Sequence, residues 1–143
     1  MALIAAVGLL AASALHVVWA FSPWPCSGRD EFARSVLGQA QPNVPKVFPL
    51  MSLAVAALLL VAAYLVASLA GLVPAAASGS LVRLGVWVVA GVLLARATVG
   101  GFVPSALRLT KAPPSYVRLD LAVYSPLCLV LGGLAAVVAA RAG

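Results

Sequence analysis

Residues 47–73, VFPLMSLAVAALLLVAAYLVASLAGLV, carry no charged side chain from end to end. An α-helix rises about 1.5 Å per residue and the hydrocarbon core of a bilayer is about 30 Å thick, so about 20 such residues cross it. Three further stretches read the same way. Residues 2–21 hold His16 as their one ionisable side chain, residues 81–102 are interrupted by Arg96, and residues 119–140 begin beside Asp120. Helix breakers separate them: Pro23, Pro25, Pro42, Pro45 and Pro49 after the first, Pro74 after the second, and Pro104, Pro113 and Pro114 after the third. Proline is poorly tolerated inside a helix but suits its first turn, where Pro49 would sit.

The whole composition agrees. Of the 143 residues, 64 % are hydrophobic and 8 % charged, and the mean hydropathy is +1.15. A soluble domain is about a quarter charged, so this chain lacks the polar side chains to cover a water-facing surface. Soluble enzymes, disordered chains and disulfide-stapled secreted domains are excluded. Lipid-exposed backbone must satisfy its own hydrogen bonds, and helices do so locally. The expected fold is all-α: an integral membrane four-helix bundle in one transmembrane domain, residues 1–143, with long loops at 22–46 and 103–118. The stretches Ala63, Ala67, Gly71 and Gly91, Ala95 repeat small residues at every fourth position, a spacing that lets helices approach closely and leaves a homo-oligomer open.

The first span is read as retained, not as a signal peptide. No Lys or Arg lies near Met1, and Ser22-Pro23-Trp24-Pro25-Cys26 is a poor cleavage site. Nine Lys and Arg against three Asp and Glu give a net charge of +6, but the bases sit at span ends, without the aromatic interleaving of a nucleic-acid surface. Basic flanks set orientation and touch anionic headgroups. Arg29, Arg34 and Lys46 follow the first span, and Arg108, Lys111 and Arg118 follow the third; only Arg83 and Arg141 lie on the opposite side. The expectation is a multi-pass protein of the inner (plasma) membrane with both long loops cytoplasmic and both termini outside. Cys26 and Cys128 form no C-x-x-C and are read as two free thiols.

The informative polar residues share one end of the bundle. His16 and Trp19 lie near the end of the first span, Arg96 near the end of the third, and Asp120 and Tyr124 at the start of the fourth, spaced i, i+4. An Arg inside a span costs about 2.5–3.5 kcal/mol at the centre. Two arrangements relieve it: pairing with Asp120, or snorkelling to the headgroups while Asp120 caps the fourth helix. His16 is either a proton-transfer group or a neutral ring bonded to a carbonyl. Trp19, Trp24, Tyr116 and Tyr124 suit an interfacial aromatic belt. One His and two dispersed Cys supply no metal or haem ligand spacing, no cofactor is expected, and Gly100-Gly101 reads as a helix stop. Neither G-x-x-x-x-G-K-[ST], G-x-S-x-G nor H-E-x-x-H occurs.

Leu15-His16-Val17-Val18-Trp19-Ala20, Arg96-Ala97 followed by Gly100-Gly101-Phe102, and Leu119-Asp120 followed by Tyr124-Ser125-Pro126-Leu127-Cys128 resemble the small bacterial membrane proteins grouped as domain of unknown function 3995. The resemblance spans nearly the whole chain and implies a four-helix inner-membrane protein with no assigned activity. Pro126 inside the fourth helix would loosen it and free a carbonyl near Tyr124. Two functions follow. One is a non-enzymatic module binding a lipid-like ligand or a membrane partner through a polar pocket in one leaflet, formed by His16, Trp19, Arg96, Asp120 and Tyr124. The other is a membrane enzyme acting on a lipid or isoprenoid-like substrate, with His16 and Asp120 as acid and base and Arg96 holding an anionic or carbonyl group. The first is preferred, because every polar residue has a structural explanation. Proton or ion passage is weaker, since polarity stops in one leaflet.

Overall fold

A computed structural model describes residues 1–41 and 43–142; Pro42, read above as a breaker, lies outside them. Four helices are long and apolar enough to cross a membrane: Ala2–Phe21, Phe48–Leu69, Gly79–Ala106 and Pro114–Arg141. The first is α1 and the second α3. Between them a short helix, α2, runs from Arg29 to Ser35. The third crossing comprises α4 (Gly79–Ala97), a π-turn (Thr98–Phe102) and α5 (Val103–Ala106). The fourth comprises α6 (Pro114–Leu119), a second π-turn (Asp120–Tyr124) and α7 (Ser125–Arg141). The protein is a multi-pass membrane protein.

Local chemistry fixes the ends. α1 stops where Ser22 is extended and Pro23 follows. Pro49 sits in the first turn of α3, where its missing N–H costs nothing. α3 ends at Leu69, short of the expected Val73, because Gly71 takes a φ of 71° and the Leu72 N–H closes back onto the Ala67 carbonyl at 2.9 Å. That is a Schellman stop, for which glycine is the natural residue. The third crossing reverses the expectation for Gly100-Gly101. Those residues form part of the π-turn, and the helix runs on to Ala106. It ends with the Leu109 N–H bonded to the Pro104 carbonyl at 2.9 Å and Arg108 at a φ of 54°. The fourth helix begins at Pro114, a residue suited to a first turn, so Asp120 lies inside a continuous helix and not at its entrance.

The helices pair as two antiparallel hairpins. In the first, the Ser13 hydroxyl of α1 donates to the Ala56 carbonyl of α3 at 2.8 Å, and the Ser52 hydroxyl donates to the His16 carbonyl at 2.7 Å. In the second, Arg83 Nε of α4 donates to the Ala139 carbonyl of α7 at 3.0 Å. Gly132 of α7 lies against Leu93 and Leu94 of α4. The hairpins meet where Gly8 receives Leu131 and Gly85 receives Leu65. Six of the eleven core-cluster residues are alanine (Ala5, Ala62, Ala63, Ala90, Ala135 and Ala139), while Leu3, Ile4, Leu50, Leu58, Leu84 and Val92 point outward. In lipid, burying a large apolar side chain gains little over leaving it against acyl tails, so close packing of small residues joins the helices. The expected small-residue stripes are only partly used. Ala63 is in the core, Gly71 lies beyond the helix, and Gly91 and Ala95 face away from the bundle.

Candidate functional site

Both π-turns end two residues before a proline: Phe102 before Pro104 and Tyr124 before Pro126. A proline supplies no N–H, and its ring collides with the carbonyl four residues back. Widening the preceding turn by one residue accommodates it without breaking the helix. The two widened turns lie against each other on antiparallel helices. Each proline also carries a serine beside it, Ser105 after Pro104 and Ser125 before Pro126.

These elements converge on Asp120, which is completely buried. Arg96 Nη2 donates to Asp120 Oδ1 at 3.0 Å. The Ser125 hydroxyl donates to the same oxygen at 3.1 Å, and the Ser105 hydroxyl donates to Oδ2 at 2.7 Å. Both serines are buried as well. Of the two arrangements open to Arg96, the ion pair is the one formed. Arg96 Nη2 also donates to the Tyr116 hydroxyl at 3.2 Å. The Arg96 side chain is 36 % exposed, yet its Nη1 is shielded and has no hydrogen-bond partner. Gly101 makes the closeness possible: a Cβ there would strike Ser125 Oγ and come within 2.7 Å of Arg96 Nη1.

Tyr124 stands beside this network. Its ring centroid is 6.1 Å from that of Tyr116, and its hydroxyl donates to the Ser35 carbonyl of α2 at 3.4 Å. Gly38, at a φ of 68°, lies against the face of the Tyr116 ring. The two tyrosines therefore face the polar network and the α2 segment.

His16 and Trp19 gather elsewhere. His16 Nδ1 is 2.8 Å from the Ala12 carbonyl one turn back, the carbonyl-bonded arrangement foreseen for it. Its ring meets Trp19 edge-on at 5.0 Å; Trp19 meets Phe32 at 5.8 Å, and Phe32 meets Phe48 at 5.4 Å. Trp19 Nε1 donates to the Trp24 carbonyl at 2.9 Å. The five candidate residues thus form two groups: Arg96, Asp120 and Tyr124 between the third and fourth crossings, and His16 with Trp19 on the α1–α3 hairpin. Helix α2 joins the groups, through Phe32 on one side and the Ser35 carbonyl on the other.

α2 also has its own polar anchor. The Ser27 N–H donates to Glu31 Oε2 at 2.8 Å and the Ser27 hydroxyl donates to the same oxygen. These donors hold the Glu31 carboxyl below its usual range. Cys26, half-buried next to this turn, is a free thiol raised above its usual range by burial and by the Glu31 charge. Cys128 is also unpaired.

Two clefts lie outside the network. One of about 40 Å³ is lined by Trp19, Phe32, Arg29 and Phe48. The other, of about 290 Å³, is at the far end of the bundle. Neither is lined by Arg96, Asp120 or Tyr124. The sequence reading missed Ser105, Ser125, Tyr116 and Gly101 as parts of the site. The signal for the serines was their adjacency to the intrahelical prolines.

The family described as Protein of unknown function (DUF3995) matches residues 9–135, most of the chain, and the protein belongs to it. No curated protein and no solved structure matches the chain.

Proposed function

We propose that this member of the DUF3995 family is a non-enzymatic membrane module that holds the oxygen-bearing head of a lipid-like molecule at Arg96. The observation that carries this reading is the unpartnered Nη1 of a guanidinium whose other nitrogen is tied to Asp120 and Tyr116. A shielded N–H without an acceptor costs about 1–3 kcal/mol, more when it is charged, and a ligand oxygen recovers that energy.

Asp120 acts as a positioning group. Both of its oxygens are occupied, by Arg96 and two serine hydroxyls. A carboxylate so engaged is a poor general base, and His16 is bonded to its own helix. The preference for a binder over the His16/Asp120 enzyme rests on these two contacts. The bases of the surrounding loops, Arg29, Arg34, Lys46, Arg108, Lys111 and Arg118, favour an anionic head. We place these loops on the cytoplasmic side of the plasma membrane.

The test is co-purification followed by lipid mass spectrometry. Wild type retains a bound species that Arg96→Gln loses and Arg96→Lys holds weakly, because lysine cannot supply the planar fork. An identical lipid complement in wild type and Arg96→Gln overturns the reading.

A further inference from the structure

The end of the bundle opposite Arg96 carries a second feature. A cleft of about 290 Å³ opens between the two hairpins, lined by Ala2 of α1, Leu69 and Ala70 at the end of α3, and Val137, Val138 and Arg141 of α7. Its walls are apolar. The core that joins the hairpins (Leu9, Val66, Leu131 and Ala135) closes beneath it. Arg141 stands at its rim, and Arg83, held to the Ala139 carbonyl through Nε, lies at the same end. The three acidic side chains of the chain, Asp30, Glu31 and Asp120, belong to the other end, in α2 and the ion-paired network. This end therefore has two guanidinium groups and no acidic side chain to balance them.

We propose that this cleft seats one anionic phospholipid, an acyl chain between the hairpins and a phosphodiester head at Arg141 and Arg83. An apolar slot of this size is at the small end of ligand sites and fits a segment of a single chain. The slot supplies a place for hydrocarbon, and the two arginines, which have no acidic side chain at their end of the bundle, select the head. Bound there, the lipid completes the seam between α3 and α7 and acts as a wedge holding the hairpins together. The proposal is independent of the Arg96 reading, which concerns the other leaflet.

The full chain, purified in detergent and stripped of lipid, is incubated with phosphatidylglycerol or phosphatidylcholine and examined by native mass spectrometry. Phosphatidylglycerol is retained in preference to phosphatidylcholine, by about fivefold for each arginine at a membrane surface. Arg83→Gln with Arg141→Gln reduces it to the phosphatidylcholine level. Ala70→Trp, which fills the cleft and leaves the charges in place, removes both lipids. Each comparison is read in proteins that also carry Arg96→Gln, so that a lipid held in the other leaflet does not contribute. In that background, equal retention of the two lipids with Arg83 and Arg141 intact, undiminished phosphatidylglycerol once both are replaced, or undiminished binding in Ala70→Trp overturns the proposal. Disappearance of the phosphatidylglycerol preference when Arg96→Gln is introduced also overturns it, by moving the bound lipid to the other leaflet.

Discussion

Asp120 shows how a charged pair is made tolerable inside a span. A fully buried ion pair broken at one partner costs about 3–5 kcal/mol, and an exposed pair is worth about 0–1 kcal/mol. With Asp120 at 0 % and Arg96 at 36 % exposure, Asp120→Ala is expected to cost about 2–3 kcal/mol, between those limits. It also strands the Ser105 and Ser125 hydroxyls. Reversible unfolding in mixed micelles measures this. In a double-mutant cycle Arg96→Ala and Asp120→Ala couple by about 1–2 kcal/mol; strict additivity rules the pair out as an energetic unit. Glycine supplies a sharper contrast on the same helix. Gly101→Ala drives a methyl into Ser125 Oγ and toward the Arg96 carbonyl at 3.0 Å, so it costs about 1–3 kcal/mol through overpacking. Gly91→Ala meets nothing within 4 Å and gains about 0.5–1 kcal/mol from helix propensity. Equal effects of the two substitutions in the same unfolding assay are incompatible with this packing. Arg96 and Asp120 were legible in the sequence because charge inside a span is costly. Ser105 and Ser125 were marked only by their adjacency to Pro104 and Pro126, since a serine satisfies itself anywhere on a helix and gives no hydropathy signal.

The crossings were legible as apolar runs, but their ends were decided by turn chemistry. Pro113-Pro114 looked like a break, yet Pro114 begins a helix that passes through Asp120. Gly100-Gly101 looked like a stop, yet the π-turn carries the helix past them. Hydropathy does not register a widened turn, which is why both features escaped. Helix α2 escaped for a different reason: seven residues among prolines bury only Phe32, Ala33 and Ser35, too short a pattern to count as periodic. The start of α2 gives a pH prediction. The folded pKa of Glu31 is depressed by its Ser27 donors, so its contribution is present above the ordinary glutamate value and disappears as pH falls through the folded value. The protection factor of the Ser27 amide, which Glu31 accepts just before α2, should therefore fall on acidification below about pH 4, near the glutamate reference. In Glu31→Ala that protection should be absent at neutral pH and should not change through this titration. At the other loop, Arg108 holds a left-handed φ of 54° just after α5. Arg108→Gly relieves a strain of about 1 kcal/mol and is expected to raise the unfolding midpoint; a lower midpoint would mean that its guanidinium is anchored by something stronger than that strain.

The bundle holds together by close packing along two hairpins and by a thinner seam between them. Its helix connections place the loop after α1 and the loop between α5 and α6 at the same end, where the Tyr124 hydroxyl reaches the Ser35 carbonyl and Phe32 reaches Trp19. This geometry has a consequence for insertion. A chain that threads the bilayer an even number of times between two loops must leave both in one compartment, which on the orientation proposed from the six loop bases is the cytoplasm. Single cysteines placed at Ser27 and Thr110, in a background with Cys26 and Cys128 replaced, are expected to resist an impermeant maleimide in intact cells and react after the membrane is opened. A cysteine at Ala76, between α3 and α4, should react without opening. Labelling of Ser27 and Thr110 from opposite sides would separate α2 from the tyrosines that it touches and dissolve the polar network. Labelling of both from outside would keep the network and invert the protein, placing the Arg96 head-binding site in the outer leaflet and the Arg83–Arg141 cleft in the inner one, where anionic lipid is more abundant.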